Sequence, residues 1–421
     1  MELRRKQCLS VIGKNPEFSS PNVINVPEVK ESTAHFARIC AWFNTITKEQ
    51  VVNKTPRTVT SPKKFIIGTG LLAQLPDYVK DFGNNAFIIC DEFILTKVKE
   101  EAIAAIEKDS NLTATAEKFN YECTQEEIDR NAKLAVKTHA NVIVGVGGGK
   151  TLDCAKAVGY QEKLPVILYP TIASTDAPCT ALAVIYKSNG EFDHYLFLPQ
   201  NPDAVIADTD IISGAPARFF AAGVGDALAT YFEARACYAC DGVNLVLKKP
   251  SRTGLGLARL CYELLSENVE AAMDALKNKI TTPALEQTIE ATIYLSGVGA
   301  EAGGLAAAHA VNNGMSAVPD LHKAQHGEKV VFGLLTQLVL ENAPKAEIDE
   351  VIRIVKTVGL PLTLEDMGLA KFVESEWRKV AQIACAEGDT MSNMPKAVTE
   401  EEVYSAMVAA NNMAHRYKAK A

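Results

Sequence analysis

The stretch Asn141-Val-Ile-Val-Gly-Val-Gly-Gly-Gly-Lys-Thr-Leu-Asp153 decides the fold. It begins as an apolar run, Asn141–Val146, that stops at glycines, and continues as a short helix over Thr151–Gly159. A short apolar run bounded by turn signals reads as a buried strand. Glycines between strand and helix let backbone N–H groups approach a pyrophosphate, and the helix N-terminus favours its charge. Two named fingerprints fail here. GxGxxG requires glycine where Lys150 stands, and a Walker A loop requires glycine where Val144 stands. An NTPase is therefore disfavoured. The turn is left as either an atypical phosphate cradle or a tight strand–helix junction without a ligand.

Outward from this turn, strand and helix signals alternate. Asn85–Cys90 is an apolar run ending in Asp91, followed by a helical stretch at about Leu95–Lys108 and a strand at Thr113–Phe119. Thr124-Gln-Glu-Glu127 has the capping-box pattern and opens a helix to about His139. Pro165–Tyr169, Ala181–Tyr186, Tyr195–Leu198 and Ala204–Ala207 complete a strand-rich set. This predicts an α/β domain with a mostly parallel sheet over residues 61–215. After Pro216, apolar spacing of three to four takes over. Helices are expected around 226–240, 253–268, 283–297, 326–342 and 346–358, within an all-α domain spanning 216–421. Residues 1–60 hold Pro16, Pro21, Pro27 and Pro56 and read as an extension or linker, with a short helix near Ala34–Phe43.

The 421 residues suffice for two domains with full cores. A net charge of −8 argues against nucleic acid or an anionic membrane as the main partner. No run of 18 apolar residues exists, so no membrane span is expected. The start lacks the apolar core of a secretory signal, and the cytoplasm is the expected compartment, with organelle import through residues 1–60 left open. Ten dispersed cysteines fit a reducing compartment, and Cys237-Tyr-Ala-Cys240 reads as packing.

Three residues of the second half have metal-ligand chemistry: Asp226 in Gly223-Val-Gly-Asp, His309 after Gly303-Gly-Leu-Ala-Ala-Ala, and His326 before Gly-Glu-Lys. One carboxylate and two imidazoles suit Zn²⁺ or Fe²⁺. Their wide spacing is weak evidence by itself, and a helix cap or core histidine remains the alternative for each. His322, four before His326, is a candidate extra ligand or partner on the same helix face. Asp91, at a strand's carboxyl end, is a candidate for a ribose hydroxyl or for a turn Asp.

Five segments carry a resemblance: Gly145–Asp153, Pro170-Thr-Ile-Ala-Ser-Thr-Asp-Ala-Pro178, Gly225-Asp-Ala-Leu-Ala-Thr230, Gly303–Ala310 and His326-Gly-Glu-Lys329. Through them, residues 61–421 resemble the glycerol dehydrogenases of the zinc/iron-dependent polyol and alcohol dehydrogenase superfamily. The resemblance implies Asp226, His309 and His326 as zinc ligands, with iron an alternative. It implies NAD contacts from Gly148, Gly149 and Lys150 to the phosphates and from Asp91 to the ribose. Thr171, Ile172, Ala173, Ser174, Thr180, Leu182 and Tyr186 would line the cofactor, and Asp176 would touch the substrate hydroxyls. The implied reaction is hydride transfer between a small polyol, glycerol first, and NAD. The implied assembly is a homo-oligomer. Four segments depart from the pattern: Gly299-Ala-Glu-Ala-Gly-Gly304, Asn312-Asn-Gly314, Thr390-Met-Ser-Asn393 and Leu247-Lys-Lys-Pro-Ser-Arg252. Ala300, Ala302, Asn312 and Ser392 lack rings or hydroxyls that the family carries. They leave open another vicinal diol, hydroxyketone or hydroxycarboxylate as substrate, or a non-catalytic paralogue.

Overall fold

The computed structural model describes residues 55–419. The extension's short helix, expected near Ala34–Phe43, lies outside them. Residues 56–60 pack on the helical part: Lys249 N donates to Pro56 O at 3.1 Å, and Arg57 pairs with Asp241 at 2.8 Å.

Six strands form one parallel sheet in the order β1-β8-β5-β4-β2-β3. They are β1 (Lys64–Gly68), β2 (Asn85–Cys90), β3 (Thr113–Lys118), β4 (Val142–Gly147), β5 (Val166–Pro170) and β8 (Ala204–Asp208). Between β5 and β8 an antiparallel hairpin, β6 (Leu182–Tyr186) and β7 (Phe192–Phe197), stands apart from the sheet. Parallel strands covered on both faces bury every position, which is why β2, β4, β5 and β8 are continuous apolar runs. The period of two divides them between two cores. Phe87, Ile89, Ile143, Leu168 and Val205 join one face, and Ala86, Ile88, Val144, Ile167 and Ile206 the other.

The chain runs from β2 to the edge strand β3, then crosses back over β2 to β4. The order therefore switches direction between β2 and β4, and the crevice at their carboxyl ends is where such sheets take ligands. Asp91 and Gly148 sit there. The helix after the turn, α3 (Gly149–Glu162), starts two residues earlier and ends three later than expected. It follows α1 (Leu75–Lys80) and α2 (Gln125–Lys137). Thr124 Oγ1 caps α2 by accepting from Glu127 N at 3.2 Å, but the Glu127 carboxylate turns instead to Asn120, Asn131 and Arg130.

From α4 (Thr209–Gly214) onward the chain is helical: α5 (Ala217–Ala239), α6 (Arg252–Asn278), α7 (Pro283–Glu290), α8 (Ser296–Gly303), α9 (Ala307–Met315), α10 (His326–Leu340), α11 (Lys345–Val358), α12 (Glu374–Ala384) and α13 (Glu400–Lys418). The predicted helix over 283–297 is broken by a π-helical turn at Ala291–Leu295. No described helix is long and apolar enough to cross a membrane. The cysteines of the described residues are all thiols, and Cys240 Sγ lies 3.1 Å from Asn393 O in a packing role.

Candidate active site

Helix α5 is almost wholly buried, and its small residues let two other backbones lie against it. A β carbon on Gly223 would stand 2.0 Å from the Ala173 carbonyl oxygen, and one on Gly327 would stand 1.7 Å from that of Ala222. Only glycine fits either place. The loop after β5 and the first turn of α10 thus both close on the segment carrying Asp226.

His309 lies on α9, and His326 is the first residue of α10. Their Nε2 atoms stand 3.3 and 3.2 Å from Asp226 Oδ1. The three donor atoms lie within 4.8 Å of one another. Asp226 Oδ1 is buried and has no hydrogen-bond partner of good geometry. A buried oxygen facing two imidazole nitrogens fits a divalent cation, so these residues suit Zn²⁺ or Fe²⁺. Burial opposes ionisation of Asp226, but the His326 and His309 imidazoles hold its carboxyl well below the usual range.

Two carboxylates place the histidines. Glu233, two turns along α5 and fully buried, takes His309 Nδ1 at 2.5 Å. Its other oxygen accepts from the backbone N of Ala306 at 2.8 Å and of His309 at 2.9 Å. With Nδ1 directed to Glu233, Nε2 would be left to ligate a cation held with Asp226. Glu328 closes a capping box with Gln325 at the start of α10 and takes Arg218 Nε at 2.7 Å, which fixes the turn bearing His326. Sequence reading missed Glu233. A charged residue in the Ala-rich run Ala227–Ala236 was the available signal. His322 does not join the cluster. It ends a 3₁₀ turn before α10, exposed, with Nε2 3.1 Å from Ser316 O, so the shared helix face does not form.

The loop leaving β5 links Asp226 to the sheet. Asp176 N donates to Asp226 Oδ2 at 3.4 Å, and Asp176 Oδ2 accepts from Ser296 Oγ at 3.0 Å. Burial, and then the Asp226 charge, push the Asp176 carboxyl up to about 7. Ala173 and Ser174 lie in the same loop, both buried. Thr171 N donates to Gly147 O at 3.0 Å, while Thr171 Oγ1 is buried without a partner. Ile172 Cδ1 would be 3.2 Å from a β carbon on Gly148, and Thr175 Oγ1 would be 3.5 Å from one on Gly149. Asp91 Oδ2 accepts from Gly148 N at 2.9 Å, and Oδ1 accepts from Thr151 Oγ1. The Asp91 carboxylate thus braces the glycine turn. Lys150 Nζ pairs with Glu122 at 2.7 Å and sits 4.7 Å over the Tyr186 ring. Thr180 and Leu182 continue the loop into β6.

Residues 62–209 match the family model described as iron-containing alcohol dehydrogenase. A glycerol dehydrogenase from Escherichia coli O6:H1 is 49% identical over 361 residues, 86% of this chain and 98% of that one. This chain belongs to the iron-containing alcohol dehydrogenase family. Another relative, a glycolaldehyde reductase from Halobacterium salinarum, is 39% identical over 358 residues, covering 85% of this chain and 98% of that one. The crystal structure of glycerol dehydrogenase from Schizosaccharomyces pombe superposes with a TM-score of 0.83 at 32% identity, covering 87% of this chain and 93% of the other. The group Asp226, His309 and His326, which could hold a metal ion, is consistent with this family.

The four departures fall in different surroundings. Ala302 packs against α6, where a β carbon on Gly254 would lie 2.8 Å away, and Ala300 is buried on the same helix. Ser392 is exposed and donates to Asp389 O at 2.9 Å. Asn312 is buried one turn after His309, and its Oδ1 has no partner. The segment Leu247–Arg252 is a turn before α6, with Leu247 in the left-handed region at φ 56° and Ser251 capping the helix.

Proposed function

We propose that this protein oxidises glycerol to dihydroxyacetone, and catalyses the reverse reduction, with NAD as hydride partner and zinc at Asp226, His309 and His326. Ferrous iron would satisfy the same donors. The observation that carries this reading is the convergence of the His309 and His326 imidazoles on the buried Oδ1 of Asp226, beside the loop that also carries Asp176. Near-full-length similarity to a protein named glycerol dehydrogenase supports the substrate.

A divalent metal in this site supplies Lewis acidity that lowers the pKa of a bound hydroxyl. The chain's residues do the rest. Glu233 holds the His309 tautomer, and Ser296 holds the Asp176 carboxylate where a polyol hydroxyl would meet it. The N–H groups of Gly148 and Gly149, with Lys150, receive the pyrophosphate, for which Lys150 exchanges its Glu122 partner. Asp91 receives a ribose hydroxyl while bracing the turn. Thr171, Ile172, Ala173, Ser174, Thr180, Leu182 and Tyr186 line the cofactor and hold the nicotinamide against the donor carbon. In this reading residues 61–215 form the nucleotide domain and 216–421 the metal domain, in a cytoplasmic homo-oligomer.

A second reading is favoured by Asn312. Its unpartnered carboxamide oxygen, one turn from His309, offers a hydrogen bond that a different vicinal diol or a hydroxyaldehyde could use. A panel of glycerol, 1,2-propanediol, glycolaldehyde and 2-hydroxycarboxylates, read as NADH formed or consumed by zinc-loaded protein, separates the readings. The glycerol reading expects the highest kcat/KM on glycerol and dihydroxyacetone. Absence of turnover on both, with turnover elsewhere in the panel, overturns it.

A further inference from the structure

Helix α3 carries a second pair of charges that the roles above leave unused. The Lys156 side chain is 1% exposed, and its ammonium lies 2.8 Å from Asp153 Oδ1. It donates to Ala177 O at 2.8 Å and to Leu182 O, and lies 3.5 Å from Thr180 O. Asp153 Oδ2 in turn accepts from Val184 N at 3.0 Å. Burying an ammonium is costly unless its protons and its charge are both met, and here the carbonyls of Ala177, Thr180 and Leu182 take the protons while the Asp153 carboxylate answers the charge. Those carbonyls lie in one stretch, 177–182, and Ala177 directly follows Asp176. The helix whose first turn bears Gly149 and Lys150 therefore grips, about two turns later, the loop that bears Asp176, Thr180 and Leu182.

We propose that Lys156, with Asp153, is a positioning residue for hydride transfer: it sets the Asp176 loop at a fixed offset from the glycine turn, and so the substrate carbon against the nicotinamide. The inference rests on the reading that this loop lines the cofactor and substrate. Other anchors hold the loop's far end. Asn201 Nδ2 donates to Cys179 O at 2.9 Å, and Ala181 N donates to Glu301 Oε2 at 2.6 Å. Loss of Lys156 therefore leaves the Asp176 end to its contacts with Ser296 and Asp226 alone, without unfolding the loop. Misplacement by about 1 Å costs on the order of 100-fold in rate.

The test is the double variant Asp153→Asn/Lys156→Met, which removes both charges and leaves a carboxamide oxygen at position 153 able to accept from Val184 N. Metal content, Tm, KM for NAD, kcat, and the isotope effect with deuterated glycerol are measured beside Asp176→Asn. The expected result is parental metal content, KM for NAD within about twofold, kcat lower by roughly 10- to 100-fold, and a larger isotope effect. A folded, metal-loaded double variant with parental kcat and isotope effect overturns the inference. So does loss of metal, or a rise in KM for NAD matching the fall in kcat, since either marks a merely structural role. If the double variant does not fold, Lys156→Arg decides. It keeps the charge but changes its reach, and a lowered kcat at parental Tm supports the inference while parental kcat overturns it. Asp176→Asn with parental kinetics would instead sink the loop reading itself, whereas an impaired Asp176→Asn beside a parental Lys156 variant sinks the Lys156 inference alone.

Discussion

A buried polar atom left without a hydrogen bond costs about 1–3 kcal/mol, more when charged. Asp226 Oδ1 is such an atom, and a divalent cation held by Asp226, His309 and His326 would remove that cost. Glu233 decides how well His309 can take part. Glu233→Gln should keep the fold yet weaken metal affinity by roughly 10- to 100-fold, since an amide can present the wrong group to Nδ1. Competition between the protein and a chelating dye measures this, and parental affinity would remove Glu233 from the site. Residue type made Asp226, His309 and His326 only candidates, with a cap or core histidine as the alternative for each; the resemblance of the segments around them is what singled them out, and the structure brings the three together. Glu233 and Ser296 were not legible in sequence, because each matters through a partner on another element. His322 misled through its spacing: four residues mean one face only inside a helix, and α10 begins at His326.

Among the elements, the glycine segments have a steric reason. A β carbon on Gly327 would lie 1.7 Å from Ala222 O and 3.0 Å from Asp226 N. Gly327→Ala should therefore push α10 from α5, destabilise by about 1–3 kcal/mol or more, and weaken metal binding together with Tm. Thermal unfolding with metal analysis checks this; unchanged values for both would contradict the packing account. Helix α2 offers a pH test away from the site. Burial alone would raise the Glu127 carboxyl, but Arg130 and the Asn120 and Asn131 groups outweigh it and hold the pKa below the usual value. A depressed pKa gives stability present above the unfolded value, near 4.3, and lost as pH falls through the folded one. The Tm gap between parent and Glu127→Gln should be widest at neutral pH and narrow below about pH 4. A gap independent of pH would contradict the assignment. Strands β2, β4, β5 and β8 were readable because parallel burial writes continuous apolar runs. Strand β1 was missed because it is a short edge strand, exposed at Lys64 and nowhere fully buried. The π-helical turn at Ala291–Leu295 has no sequence signal of the kind periodicity detects.

Across the whole molecule, two local rules meet at one place. The sheet reverses its order between β2 and β4, which puts Asp91 and the glycine turn in one crevice, and the glycines of α5 and α10 bring the metal ligands to the loop leaving β5. The α/β and all-α parts could be read from the change of apolar period near Pro216. Their meeting through Asp176 N and Asp226 Oδ2 could not, because nothing local in either segment encodes it. The most direct test is glycerol-dependent NADH formation by the parent and by Asp226→Ala, before chelation, after chelation, and after adding back zinc, with NAD binding followed in parallel. The account predicts turnover in the parent that chelation abolishes and zinc restores, and none in Asp226→Ala under any condition, while both proteins keep NAD affinity. Turnover that survives chelation, or persists in Asp226→Ala, would contradict it.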